Sequence, residues 1–330
     1  MGRFVAGDAP ELDRALADAL AAIGAEIVAM RVPSLAGVVL GGGYGRGEGG
    51  ARGELKVESS KLKVESSKSD VACRLSNDLD FFAITRDGTT DADAAAVAKA
   101  LEPLSRRWSE RLGIDVDFMG RTPWRLRHDQ ERLMVQELIH GYVDVVGEKG
   151  EVLFAGIERR EPSDLPWMEA ARLLMNRGMG LLFARVEKNV DFTNRNINKC
   201  ILGAGDARLI ANRRYRWRAP ERAEALRDQM YRNAVAWKFR PEESAVCDWS
   251  AARDVWRAAY EEVMEIGARE GALGRSLRQA ARWVVRRRTL GAPASFGQNC
   301  TVRVLRGVAR CVEMRSAIPP SLRRDWEIFN

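Results

Sequence analysis

The chain has 330 residues, 46% of them hydrophobic and 30% charged, with a formal net charge of +7. That is length enough for two domains and a substantial core, and no apolar run approaches the ~20 residues of a membrane span. Five scattered cysteines without a Cys-x-x-Cys pair argue against a disulfide framework or structural zinc, and only two histidines, His128 and His140, discourage chemistry built on paired imidazoles.

The acids Asp8, Glu11 and Asp13 interrupt any apolar leader, so the expected location is cytoplasmic. Leu12, Leu16, Leu20, Ile23 and Ile27 recur at helical spacing and predict a helix over 9–30, with Asp8 as its N-cap and Pro10 near its first position. After a break at Arg31–Ser34, the apolar residues at 37–40 predict a strand, which runs into Gly41-Gly42-Gly43-Tyr44-Gly45-Arg46-Gly47-Glu48-Gly49-Gly50. The heptad LKVESSK at 55–61 repeats without change at 62–68, and 49–76 is expected to be an exposed insertion. Asn77-Asp78-Leu79-Asp80-Phe81-Phe82-Ala83-Ile84 then predicts a second strand, with Asp78 and Asp80 projecting from one face.

Arg86-Asp87-Gly88 makes a turn, and a helix is expected from 91 to 112, broken or kinked at Pro103. Strict alternation over Ile114-Asp115-Val116-Asp117-Phe118 marks a strand with one apolar and one acidic face. A helix over 124–140 and a short apolar piece at 143–146 follow, and the composition changes near residue 160. Beyond it the pattern is almost wholly helical, with helices expected near 167–187, 193–213, 219–237, 250–270, 275–289 and 299–315. The fold class is therefore α+β: a small mixed β-sheet domain with flanking helices over 1–160, then an all-α domain over 161–330.

A strand feeding a glycine-dense turn lets backbone N–H groups approach an anion closely. Two adjacent carboxylates stay ionised together when a cation compensates them, and Mg²⁺ takes one or two carboxylates together with phosphate oxygens. Gly42-Gly43, Tyr44-Gly45-Arg46-Gly47 and then Asp78-Leu79-Asp80 resemble the signature of the DNA polymerase beta-like nucleotidyltransferase superfamily, over roughly residues 36–120. The step from Gly43 to Asp78 is longer than usual there, much of it the tandem heptad, and Gly43 stands where many members carry serine. The resemblance implies that Gly42, Gly43, Tyr44 and Arg46 contact a nucleoside triphosphate. It also implies that Asp78 and Asp80, with a third carboxylate from the next acidic strand, are catalytic and hold two Mg²⁺ ions. Asp115 and Asp117 are both candidates for that third ligand, with Asp117 preferred.

In the helical part, Asn198–Ala207 carries two glycines inside a helical pattern, for which close helix packing is the simplest reason. The resemblance offers another, that Lys199 or Asp206 faces the nucleotide. Residues 201–330 hold 25 Lys/Arg against 15 Asp/Glu, whereas the first 200 hold 28 against 31. A basic rear half suits either a solvated helical surface or a polyanion such as RNA. Trp217, Trp237, Trp249, Trp256 and Trp283 are expected in the core or an interface, and Arg286-Arg287-Arg288 at a helix end. The expected activity is transfer of a nucleotide group to a hydroxyl acceptor, with a small molecule, a protein and an RNA end all open. A nucleotidyltransferase fold without turnover and a basic RNA-binding protein are the alternatives.

Overall fold

The computed structural model describes residues 2–7, 9–52, 74–241, 247–273 and 299–329. The tandem heptad, Cys73, the expected cap Asp8, and the expected helix 275–289 with Trp283 and Arg286–Arg288 lie outside the described residues. The chain is mixed α+β and divides into two compact units, residues 1–160 with 236–244, and residues 161–235 with 245–330.

The first unit is built on a four-stranded sheet. In chain order it contains α1 (Pro10–Met30), β1 (Leu35–Leu40), the single turn α2 (Gly42–Gly45), the short pair β2 (Ala51–Arg52) and β3 (Arg74–Leu75), and β4 (Leu79–Thr85). Next come α3 (Asp91–Leu112), β5 (Val116–Arg121), α4 (Pro123–His128), α5 (Leu133–His140), β6 (Val143–Gly147) and α6 (Gly150–Leu153). The sheet order is β5-β4-β1-β6; β4 and β5 run parallel, while β1 is antiparallel to both β4 and β6.

Both faces of this sheet are covered, and β4 shows how. Leu79, Phe81 and Ala83 join Val38, Leu40, Val116 and Phe118 under the apolar stripes of α1 and α3. Phe82 and Ile84 point the other way, joining Val39 under Leu126, Val135, Leu138 and Ile139. Strand alternation thus feeds two cores from one segment.

Several elements differ from expectation. α1 starts after Ala9, which makes no side-chain cap. α3 runs unbroken through Pro103, anchored by a Thr90–Asp93 capping box and by the burial of Val97, Leu101, Leu104 and Trp108. The expected helix 124–140 is two helices. Buried Gln136 donates to the carbonyls of Gln130 (2.7 Å) and Glu158 (2.8 Å), tying down the chain between them.

The second unit is helical: α7 (Trp167–Val186), α8 (Val190–Ala211), α9 (Ala219–Leu226), α10 (Gln229–Phe239), α11 (Trp249–Arg269), α12 (Cys300–Met314) and α13 (Pro320–Phe329). The last residues of α10 belong to the first unit. The single helix expected over 219–237 is divided because Arg227 adopts a left-handed conformation and Asp228 accepts the Tyr231 N–H, restarting the helix. The glycines of α8 have the packing reason: a Cβ on Gly203 would run into the Arg177 side chain, and one on Gly205 into the Tyr231 ring. Trp256 and Trp237 are buried. Among the described residues no helix is long and apolar enough to cross a membrane.

Candidate functional site

The acidic residues converge through strand register. Asp80 on β4 pairs with Asp117 on β5 in the parallel ladder, two residues before the Phe82–Met119 pair. Paired residues in adjacent strands share a face about 4.8 Å apart, so both carboxylates leave the sheet on the side of Phe82 and Ile84. The opposite face fixes this register. Leu79, Phe81, Val116 and Phe118 all enter the first core, and the Phe81 and Phe118 rings stack with centroids 4.8 Å apart. A one-residue slip would bury Asp80 or Asp117 and expose the aromatics.

Asp78 and Asp115 stand just before β4 and β5. The Asp115 carbonyl accepts the Leu79 N–H at 2.8 Å, so the strand ends remain joined there. The Asp117 carboxyl has its pKa raised, first by desolvation and then by repulsion from Asp115 and Asp78. That repulsion shows three of the four acids acting on one small region. Among the described residues, no cluster of three or more His, Cys, Asp or Glu side chains is gathered tightly enough to hold a metal ion.

The glycine turn meets the same acids. The Gly41 N–H donates to the Asp80 carbonyl at 2.8 Å. Gly42, at φ +61°, lies so close that a Cβ there would collide with the Asp80 carboxylate. Glycine is therefore required at 42 both for its conformation and for the approach of the acid. The turn then closes as one helical turn, with the Gly43 carbonyl accepting from Arg46 (3.2 Å) and Glu48 (2.8 Å). At a helix start the first amides, here Gly42 and Gly43, have no acceptor within the turn.

Two expected contacts of the turn have structural work. Tyr44 is fully buried; its hydroxyl donates to the Gly50 carbonyl (2.7 Å) and accepts from the Ser76 (3.1 Å) and Asn77 (3.3 Å) amides. The side chain thus ties the turn to the segment that enters the acidic strand. Arg46 lies 3.7 Å from Glu48 and 3.4 Å from Glu137. Glu48 is fully buried and lies 3.3 Å from Lys238, on the α10 end that belongs to the first unit.

Lys199 lies half-buried on α8 of the second unit, whereas the site described above is built from the first. Asp206 is engaged within the second unit, where it accepts from Tyr231 (2.5 Å) and pairs with buried Arg222 (3.0 Å). Sequence reasoning did not single out Glu48, Glu137 or Lys238. Glu48 was visible as the acid closing Gly45-Arg46-Gly47-Glu48, but its partner at 238 has no local signal.

A scan of protein-family models finds no match to this chain, and a search of curated proteins finds none either.

Proposed function

We propose that the first unit is a Mg²⁺-dependent nucleotidyltransferase of the polymerase beta-like kind, which moves a nucleotide group from a nucleoside triphosphate to a hydroxyl acceptor. The observation that carries this reading is the placement of Asp80 and Asp117 side by side on one sheet face, with the Asp80 carboxylate against Gly42. An all-oxygen pair of this kind fits Mg²⁺, which completes its shell with phosphate oxygens and water. Asp80 and Asp117 would hold the ion, with Asp78 and Asp115 adding negative charge around it. When bound, Mg²⁺ would neutralise phosphate charge.

The chain's own residues supply the rest. The amides of Gly42 and Gly43 would face phosphate oxygens, because the missing side chains let the backbone come close. Asp117, on the same sheet face as Asp80, would take the proton from the acceptor hydroxyl. The freed oxygen forms a bond to the α-phosphorus as the bond to pyrophosphate breaks. Arg46 and Tyr44 hold the shape of the turn.

The test is a thermal-shift series with ATP, GTP, CTP and UTP, each with and without Mg²⁺, on the wild type and on Asp80→Asn. At least one nucleotide should stabilise the wild type only when Mg²⁺ is present, and the variant should lose that shift while keeping its own fold. Pyrophosphate release should fall about a thousandfold in the variant, since the ion's stabilisation of developing charge is worth several kcal/mol. An equal shift in both proteins would remove the site; a Mg²⁺-nucleotide shift without release under any acceptor would make it a binding site.

A further inference from the structure

We propose that the arginine-rich surface formed by the α8–α9 loop and the α9–α10 turn binds the sugar-phosphate backbone of single-stranded RNA. This surface lies wholly in the second unit, and binding there does not depend on nucleotidyl transfer in the first.

The surface begins with a loop that is unusually well held. Between Ala211 and Ala219 the chain reads Asn212-Arg213-Arg214-Tyr215-Arg216-Trp217-Arg218. Arg213, Arg214, Arg216 and Arg218 are exposed, and Tyr215 between them is fully buried. Arg222, on α9 beneath this loop, is itself buried and uses its guanidinium inward. It donates to the Arg216 carbonyl (2.9 Å), the Trp217 carbonyl (2.9 Å) and the Tyr215 hydroxyl (3.0 Å). Its Nε reaches the Tyr231 hydroxyl (3.1 Å) and Asp206 (3.0 Å), so the charge is balanced below the surface. One interior arginine thus fixes the backbone that presents the outward ones.

The α9–α10 turn extends the same surface. The Arg214 guanidinium donates to the Ala225 carbonyl at 2.7 Å, bringing the loop against the end of α9. Arg227 follows two residues later, and Arg227 and Arg232, both exposed, line an open hollow of about 470 Å³ with Ala223 and Glu224. Two of these arginines occupy backbone positions that favour glycine: φ is +58° at Arg213 and +56° at Arg227. A left-handed conformation costs a non-glycine residue roughly 1–2 kcal/mol. Arg31 and Arg315 end helices elsewhere in the same conformation, and Arg213 lies 3.6 Å from Glu270, so what marks this surface is the density of exposed arginines rather than the backbone they occupy.

The chemistry favours a phosphate backbone. Arginine presents planar paired donors that match phosphate oxygens, and arginines along a rigid loop can follow a repeated anion. The exposed large hydrophobic residues among the described ones, Val28, Met30, Trp124, Val152, Val186, Val190, Phe192 and Met314, all lie outside residues 212–232. A membrane surface or an amphipathic peptide would ask for such residues beside the charges.

The experiment measures fluorescence anisotropy of a labelled single-stranded 20-nucleotide uridine RNA against the full chain from 50 to 400 mM salt. The test variant carries Arg214→Gln, Arg216→Gln, Arg218→Gln and Arg227→Gln. A charge-matched control carries Arg106→Gln, Arg257→Gln, Arg269→Gln and Arg323→Gln, all exposed positions elsewhere. The wild type should bind with a steep salt slope. The test variant should flatten that slope by roughly 3, at about 0.7 per lost phosphate contact, and weaken binding at 100 mM salt at least about tenfold. The control should keep the wild-type slope to within the net-charge effect. Circular dichroism checks the fold of each, and the double variant Arg216→Gln/Arg218→Gln replaces the test variant if that one unfolds. Absence of salt-dependent RNA binding by the wild type, equal losses in test and control, or tighter binding to phosphatidylserine vesicles than to RNA would each overturn the proposal.

Discussion

Glu48 and Asp117 are two carboxylates of the same unit, at opposite ends of the range of environments a protein offers an acid. Glu48 is fully buried, yet Arg46 and Lys238 lie 3.7 and 3.3 Å from it. Asp117 is exposed by comparison, yet the influences on its carboxyl all push the same way: desolvation, then Asp115, then Asp78. Depth alone would rank Glu48 as the strained group and Asp117 as the comfortable one, and the charges reverse that order. An acid satisfied by the chain's own cations holds structure in place. An acid crowded by its own kind is one that, under the proposed function, a cation from outside would relieve. The half-buried Asp206, paired with buried Arg222 in the second unit, belongs with Glu48 in this respect.

The comparison breaks most visibly at Glu48. Glu48→Ala removes the shared partner of two cations, Lys238 and Arg46, the latter a mostly buried arginine that also faces Glu137. Losing one member of a buried ion-pair network typically costs about 3–5 kcal/mol, read here as a lower urea midpoint at unchanged slope. Lys238→Met should cost less, because Arg46 still faces Glu48. Stability unchanged in Glu48→Ala would mean that the pairing holds nothing, and the contrast with Asp117 would lose its meaning. Tyr44→Phe comes next. It deletes the hydroxyl that donates to the Gly50 carbonyl and accepts from the Ser76 and Asn77 amides, although the Ser76 N–H still donates to the Gly50 carbonyl at 3.1 Å. Losing these bonds while that one remains costs about 1 kcal/mol. Because those bonds join the turn to the entry of β4, the variant should also lose more nucleotide-dependent thermal shift than its stability alone explains.

Much of this arrangement was legible in sequence wherever the physics is local. Alternation at 114–118 and the Asp-Leu-Asp spacing placed Asp80 and Asp117 on strand faces, because side chains two apart must agree, whereas Asp78 and Asp115, expected on the same strands, stand just before them. Gly42 was legible for the same kind of reason, as one residue with one required conformation. What was not legible depends on partners distant in the chain. Pro103 predicts a break costing about 3 kcal/mol in isolation, but the capping box and the buried face of α3 outweigh it. The interruption at 129–132 exists because Gln136 reaches a carbonyl 22 residues away. Tyr44 sits in the glycine run as though facing a ligand, and only the Ser76 and Asn77 amides reveal that it faces inward. Lys238 meets Glu48 across 190 residues, with no pattern linking them.

The smallest effect tests the other half of the comparison, and it has the opposite sign. A carboxyl whose folded pKa lies above its ordinary 3.8 binds its proton more tightly in the native state than in the unfolded one. Its ionisation therefore subtracts stability as pH rises from the unfolded pKa through the folded one, and the loss persists at pH 7. Asp117→Asn removes that ionisation, so without divalent ions the variant should melt slightly above the wild type at pH 7. The difference should shrink as pH falls through the folded pKa and close below 3.8, where Asp117 becomes protonated in both states. Adding Mg²⁺ should narrow or invert the gap at pH 7, because an ion that binds only the native wild type stabilises it in proportion to its occupancy. A gain in Asp117→Asn that persists unchanged at low pH would assign it to packing rather than charge. A gain insensitive to Mg²⁺ would leave Asp117 a repelled carboxylate with no ion to serve.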